Sequence, residues 1–236
     1  MDSIKVSDIT VEVERKDIKN MHLAVYPPDA RVHLSMPSYL TDDDAKAFIL
    51  QKFEWLRQQI REVLAQPRQT ERQFISGESH YLFGTRYQLI VEELPHNVNH
   101  IEMRGNKLYM FLKPETPIEE RAKLMQVWYR FQLKKAIEPM IKRWGEKLEE
   151  TDYTWEIRQM KTEWGSCVKS KRQLIFNLEL ARVPLECMEF VIVHEFCHFL
   201  VDNHNKVFEM LMSRRLPNWR SLRKQLNDFV ALPYKE

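Results

Sequence analysis

The sequence predicts an α+β fold in which a β-rich N-terminal region, residues 1–115, precedes a mostly helical region, residues 116–236. Short alternating or β-branched stretches dominate as far as Lys113, whereas beyond Pro114–Pro117 the apolar residues recur mainly at helical spacing. The segment Phe190–Phe199 is apolar yet carries imidazole and carboxylate groups, which packing alone does not require.

Ile4 to Glu14 alternates apolar and polar residues with one slip and predicts a strand, and His22–Tyr26 and Arg31–Met36 predict shorter ones around Pro27 and Pro28. Thr41 followed by Asp42, Asp43 and Asp44 supplies a helix cap and first-turn acids for one long amphipathic helix reaching about Ala65. Tyr81–Glu93, His100–Arg104 and Lys107–Lys113 return to strand character, the last two joined at Gly105-Asn106. Ile118 to about Leu148 reads as helix, kinked or divided at Pro139. Trp155–Met160 and Gln173–Leu180 predict strands on either side of a turn at Trp164-Gly165-Ser166-Cys167. Pro184 starts the next helix, and Lys206–Arg214 and Trp219–Phe229 close the chain as helices. No internal repeat is visible in the sequence.

At 236 residues and 44% hydrophobic, the chain has ample material for a core. Its formal net charge of +2 neither demands nor excludes a polyanionic partner. Three cysteines are too few for a disulfide framework and favour a reducing compartment. The first sixteen residues lack the apolar core of a secretory signal, and no apolar run reaches the length of a membrane span, so the expected location is cytoplasmic with no membrane partner.

The chemistry concentrates in His194-Glu195-Phe196-Cys197-His198, with His204 six residues on. Histidines four apart on a helix differ by about 40° in rotation and about 6 Å in height, so both imidazoles can converge on one ion. Glu195, one position round, can take the proton of an attacking water. Were the helix to continue past Val201, His204 would sit about 240° from His198 and about 9 Å further along, so the chain must turn back at Asp202-Asn203 for it to join them. Three nitrogen ligands leave a fourth position open, the geometry of catalytic zinc, and predict one Zn2+ per chain on a helix packed against a small sheet. Cys197 lies about 100° from His198 and reads as a packed residue.

The sequence resembles the YgjP-like metal-dependent hydrolases, which are related to the SprT-like zinc metallopeptidases. The resemblance runs through Ser76-Gly77-Glu78, the Tyr81–Tyr87 region, Trp128-Tyr129, Lys161–Cys167, Asn177, and His194–His198 with Asn203-His204. It implies a zincin-like catalytic region with His194, His198 and His204 as metal ligands and Glu195 as catalytic base. Two departures stand out: Glu163 where members usually carry arginine, and Glu209 where they carry an aromatic residue. The resemblance also makes Trp164, Gly165 and Ser166 substrate-binding candidates, whereas the residues alone favour a turn beneath a packed tryptophan.

Basic clusters flank the motif: Arg158, Lys161, Lys169, Lys171 and Arg172 before it, and Arg214, Arg215, Arg220, Arg223 and Lys224 after it. Three functions are therefore compatible with the sequence. The leading one is a metallopeptidase-type hydrolase cleaving an amide bond of a peptide or protein. The second uses the same metal on a nucleotide as a pyrophosphohydrolase, and the third is a nucleic-acid-associated module with a non-catalytic metal. Whether the basic side chains face the cleft separates them.

Overall fold

The structure, a computed structural model, describes residues 2–26, 29–65, 72–95, 99–160 and 163–229. They form a mixed α+β fold with a β-rich N-terminal part, divided into two compact units, one over residues 2–65 and one over residues 72–229. The composition change at Pro114–Pro117, expected to mark the boundary at residue 115, lies inside the second unit, because the strands before it share a core with the helix after it.

The first unit is a four-stranded sheet followed by two helices: β1 (Asp2–Val6), β2 (Ile9–Lys16), β3 (His22–Tyr26), β4 (Arg31–Pro37), α1 (Asp42–Gln51) and α2 (Phe53–Ala65), with strand order β1-β2-β4-β3. The single strand expected over Ile4–Glu14 is a hairpin, turning at Ser7 and Asp8 with Ser7 at φ 56°. The slip in its alternation is that turn. Thr41 forms a capping box with Asp44 at the start of α1, as its sequence predicts. The helix expected to run unbroken to Ala65 is interrupted at Lys52. Val11, Val32, Leu34, Met36, Ile49 and Leu56 form the core. Pro27 and Pro28 lie outside the described residues.

The second unit opens with β5 (Ser79–Leu82), β6 (Thr85–Glu93), β7 (His100–Arg104) and β8 (Lys107–Leu112) in the order β5-β6-β8-β7, followed by α3 (Ile118–Lys147). This repeats the topology of the first sheet: two antiparallel hairpins joined through a parallel central pair. A topological repeat thus exists where no sequence repeat is visible, since strand pairing constrains the apolar alternation and leaves turn chemistry and side-chain identity free. Pro139 does not divide α3; it is exposed, as is Lys135, so water can satisfy the carbonyl freed by the missing N–H. Met125, Tyr129, Leu133, Ile137, Ile141 and Trp144 make its buried stripe.

A three-stranded sheet, β9 (Thr154–Arg158), β10 (Gly165–Val168) and β11 (Gln173–Asn177), follows in the order β10-β11-β9. The Trp164–Cys167 segment is therefore mainly an edge strand rather than a turn, with Gly165 opposite Phe176 and Cys167 opposite Leu174. Three helices complete the unit: α4 (Leu185–Cys197), α5 (Lys206–Arg215) and α6 (Trp219–Phe229). The β5–β6 turn docks at the start of α4. Phe83 and Gly84 donate to the Ala181 and Arg182 carbonyls, and Gly84 is at φ +81° where a Cβ would come within 2.9 Å of Pro184. Gly84 thereby lets the sheet seat the helix that carries His194 and Glu195.

Candidate metal centre

α4 is the central element of the second unit. Cys187, Met188, Val191, Ile192, Val193, Phe196 and Cys197 are all buried, which holds the helix rigidly and leaves His194 half-buried at a cleft. The helix ends at Cys197, four residues before the Val201 expected from sequence, and His198 caps it while keeping helical dihedrals. Tight bonds from His198 to the Glu195 carbonyl and from Leu200 and Val201 to the Cys197 carbonyl wind the chain down. It then swings back through Asp202 and Asn203, so that His204 returns to the first two histidines.

The three Nε2 atoms form a triangle with sides of 3.2 Å (His198–His194), 3.1 Å (His198–His204) and 2.9 Å (His204–His194). An imidazole nitrogen carries either a proton or a lone pair, so a closed triangle cannot be satisfied by hydrogen bonds among its own members. A cation can satisfy all three. Tetrahedral Zn–N bonds of about 2.0–2.1 Å place ligand nitrogens about 3.3 Å apart, close to the spacing here. His198 Nδ1 lies 3.0 Å from the Val201 carbonyl oxygen; donating there fixes the tautomer with Nε2 bare. Burial, and then the neighbouring histidines and Arg223, push His194 down to about 3, and burial likewise lowers His204. Both are neutral near pH 7, as metal ligands must be. The donor set fits a metal ion.

Phe208 forms the floor of this centre. It is 2% exposed, and its ring centroid lies 4.9, 4.8 and 4.8 Å from those of His194, His198 and His204. Sequence reasoning missed it; in the structure Asn205 accepts from the Val207 and Phe208 N–H groups and so starts the helix that carries the ring. Cys197 is packed away from the centre against Met212 and Arg215. Glu209, the second departure noted in the sequence, is exposed and pairs with Arg220 at 2.9 Å.

Glu195 is 5% exposed, and burial together with the facing Glu163 carboxylate raises it to about 8. Its neighbour across the cleft wall is Gly165, where a Cβ would stand 2.7 Å from Glu195 Oε1 and 2.8 Å from Cγ. Any larger residue on β10 would displace the carboxylate. A cavity of about 640 Å³ joins Glu163, Trp164, Gly165, Ser166 and Cys167 to the three histidines, Glu195 and the α6 residues Arg223, Leu226 and Asn227. All three substrate-binding candidates thus line it. Asn177, 1% exposed, was noticed only within the motif: its amide donates to the Met160 and Glu163 carbonyls and accepts from Glu179 N–H, pinning the segment that leads into β10.

The basic clusters do not converge on the cavity. Lys169 and Arg223 line it, and Lys161 lies outside the described residues. Arg158 pairs with Glu156, Arg172 with Glu150, Arg220 with Glu209, and Lys169 itself with Asp202.

An α+β unit that brings three imidazoles around one point, beside a buried carboxylate and an open cavity, is built for metal-dependent chemistry. The YgjP-like, metallopeptidase domain family matches residues 19–229, and the chain belongs to that family and is a metal-dependent hydrolase of metallopeptidase type. No curated protein matches the sequence. Among solved structures the chain is similar to the metallopeptidase zymogen of Pyrococcus abyssi abylysin, at 12% identity and TM-score 0.38 over 42% of this chain and 99% of that one. It is also similar to the metallopeptidase zymogen of Methanocaldococcus jannaschii jannalysin, at 19% identity and TM-score 0.37 over 40% of this chain and 96% of that one. No helix among the described residues is long and apolar enough to cross a membrane.

Proposed function

We propose that the protein is a zinc-dependent peptidase with a zincin-like catalytic region, in which His194, His198 and His204 hold one zinc ion and Glu195 is the general base. The observation that carries this reading is the Nε2 triangle of 2.9–3.2 Å with Glu195 set beside it against Gly165. When bound, the ion polarises the scissile carbonyl and acidifies the attacking water. Glu195 accepts the water's proton and then delivers it to the departing amine.

Trp164, Gly165 and Ser166 form the substrate side of the cleft in this reading. β10 is an edge strand and its residues line the cavity, so an extended peptide can add to it through backbone hydrogen bonds. That favours an amide substrate. A nucleotide would call for a cationic pocket, and among the described residues only two members of the basic clusters line this one. Three free cysteines accord with a cytoplasmic location.

Elemental analysis and turnover test the reading together. The wild-type chain is expected to carry about one zinc ion, His204→Ala to lose it readily, and Glu195→Gln to keep it while casein turnover falls about a hundredfold to ten-thousandfold. Undiminished zinc in His204→Ala removes that ligand. Near-wild-type turnover in zinc-matched Glu195→Gln removes the base.

A further inference from the structure

We propose that Arg223 is a catalytic residue of this centre, receiving the negative oxygen that forms when the scissile carbonyl is attacked. The inference rests on the peptidase reading above. Arg223, Leu226 and Asn227 all line the cavity and stand three and four residues apart, so one face of α6 overlies the cleft. Leu222 and Leu226, at 7% and 2% exposure, anchor that helix in the core and fix where Arg223 projects.

Arg223 also differs from its neighbours in having no hydrogen-bond or ion-pair partner among the described residues. Lys169, the other cluster cation at the cavity, is tied to Asp202 at 2.9 Å, and Arg220, three residues before Arg223, to Glu209 at 2.9 Å. An unpaired guanidinium beside a metal-binding triad repels the ion it faces. Such an arrangement is useful where negative charge appears during the reaction.

The base and the cation reach the cavity from different helices, Glu195 from α4 and Arg223 from α6. In the addition step, a water proton passes to Glu195, the water oxygen bonds to the carbonyl carbon, and the carbonyl π pair moves onto its oxygen. That oxygen is the charge Arg223 receives. On collapse the pair returns, the C–N bond breaks and the amine takes the proton from Glu195, so atoms and electrons balance.

Cobalt-loaded protein gives a test independent of turnover, since its visible spectrum reports an anion entering the centre. Inorganic phosphate, a tetrahedral anion, serves as the probe. Arg223→Gln is expected to weaken phosphate binding at least tenfold, Arg223→Lys less, and Arg220→Gln, with the same loss of charge on the same helix, by no more than about twofold. Phosphate binding unchanged in Arg223→Gln, or weakened equally in Arg220→Gln, overturns the assignment and leaves the metal centre standing. Wild-type protein that takes up no cobalt overturns the peptidase reading and this proposal with it. On casein, Arg223→Gln should lower kcat about a hundredfold with KM nearly constant and Arg223→Lys should recover part of it. A raised KM at unchanged kcat identifies a standing substrate carboxylate instead and overturns the transition-state role.

Discussion

The sheets over residues 2–37 and 79–112 share strand order and a six-pair parallel centre, β2 with β4 and β6 with β8, yet their surroundings differ. The first is closed by α1 and α2 over its own core. The second is followed by the thirty-residue α3, whose buried face shares a core with β11 and α4. Their ionisable groups differ as sharply. In the first unit the shifted groups are exposed carboxylates, Asp8, Glu14 and Asp44, each lowered mainly by a hydrogen bond from Arg57, Lys16 or Thr41. The second unit buries His80, His194 and Glu195 and moves each against its charged form. Sheet topology alone therefore does not locate the chemistry; the unit that tolerates buried titratable groups does.

Separate cores make a separable prediction. Leu34→Ala and Leu133→Ala each remove a fully buried side chain, one from each core, and should each cost about 2–5 kcal/mol. Followed by thermal unfolding and zinc retention, Leu34→Ala is expected to leave zinc retention unchanged, whereas Leu133→Ala weakens it. Loss of zinc in Leu34→Ala would break the comparison, because the first unit would then be supporting the site.

The sequence made the metal triad legible because residue type and spacing alone constrain it: two histidines on a helix and a third that can reach them only if the chain turns. The hairpins at Ser7-Asp8 and Phe83-Gly84 were hidden for an equally physical reason. A two-residue turn shifts the alternation by only one residue, so each hairpin is easily read as one continuous strand. Gly165 misled in the opposite direction: glycine suggested a turn, whereas its missing side chain makes room for Glu195 across a strand. Phe208 and Arg223 acquire their places only through the packing of α5 and α6, to which local pattern is blind.

The buried groups predict a pH profile for the metal-free protein. His80, fully buried, is held down to about 3 by burial and then by Arg72 and Arg182, and His194 lies at a similar value. Folded pKa values below the ordinary histidine value of 6.5 mean that the unfolded chain binds more protons in that window, so this stability is present above pH 6.5 and lost as pH falls toward 3. Glu195 runs the other way. Raised from 4.5 to about 8, it contributes stability below 4.5 that is lost as pH rises through 8. Melting temperature should decline on both sides of pH 6.5, by a few kcal/mol in stability at each extreme, since one pKa unit is about 1.4 kcal/mol. His80→Gln should flatten only the acid limb, whereas Glu195→Gln should flatten the alkaline limb and steepen the acid limb between pH 4.5 and 6.5. An unchanged acid limb in His80→Gln would mean that His80 is not held neutral.

Gly165→Ala probes the contact between β10 and Glu195 without replacing either a metal ligand or the base. The added methyl meets Glu195 Oε1 at 2.7 Å, and relief requires the carboxylate or the strand to move. We expect a stability loss of about 1–3 kcal/mol and turnover reduced by roughly tenfold or more with zinc content intact. Full activity in a folded Gly165→Ala protein would show that Glu195 can shift freely, and would weaken the view that the second unit fixes its base by packing.

The smallest effect on stability is expected at Trp164, which both lines the cavity and packs against the core. A fully enclosed tryptophan would cost about 3–5 kcal/mol on truncation, but this ring is only half-buried, so Trp164→Ala should cost about 1–2 kcal/mol. Its greater consequence should appear with substrate: a higher KM or altered sequence preference, with zinc content unchanged. Ser166→Ala, which removes a hydroxyl from a residue lining the same cavity, should shift KM in the same direction with almost no change in melting temperature. Melting curves and kinetics on the same preparations decide the matter. A loss of 3 kcal/mol or more in Trp164→Ala with unaltered kinetics in the folded fraction would assign the ring to the core, leaving β10's backbone and Ser166 as the substrate side of the cleft.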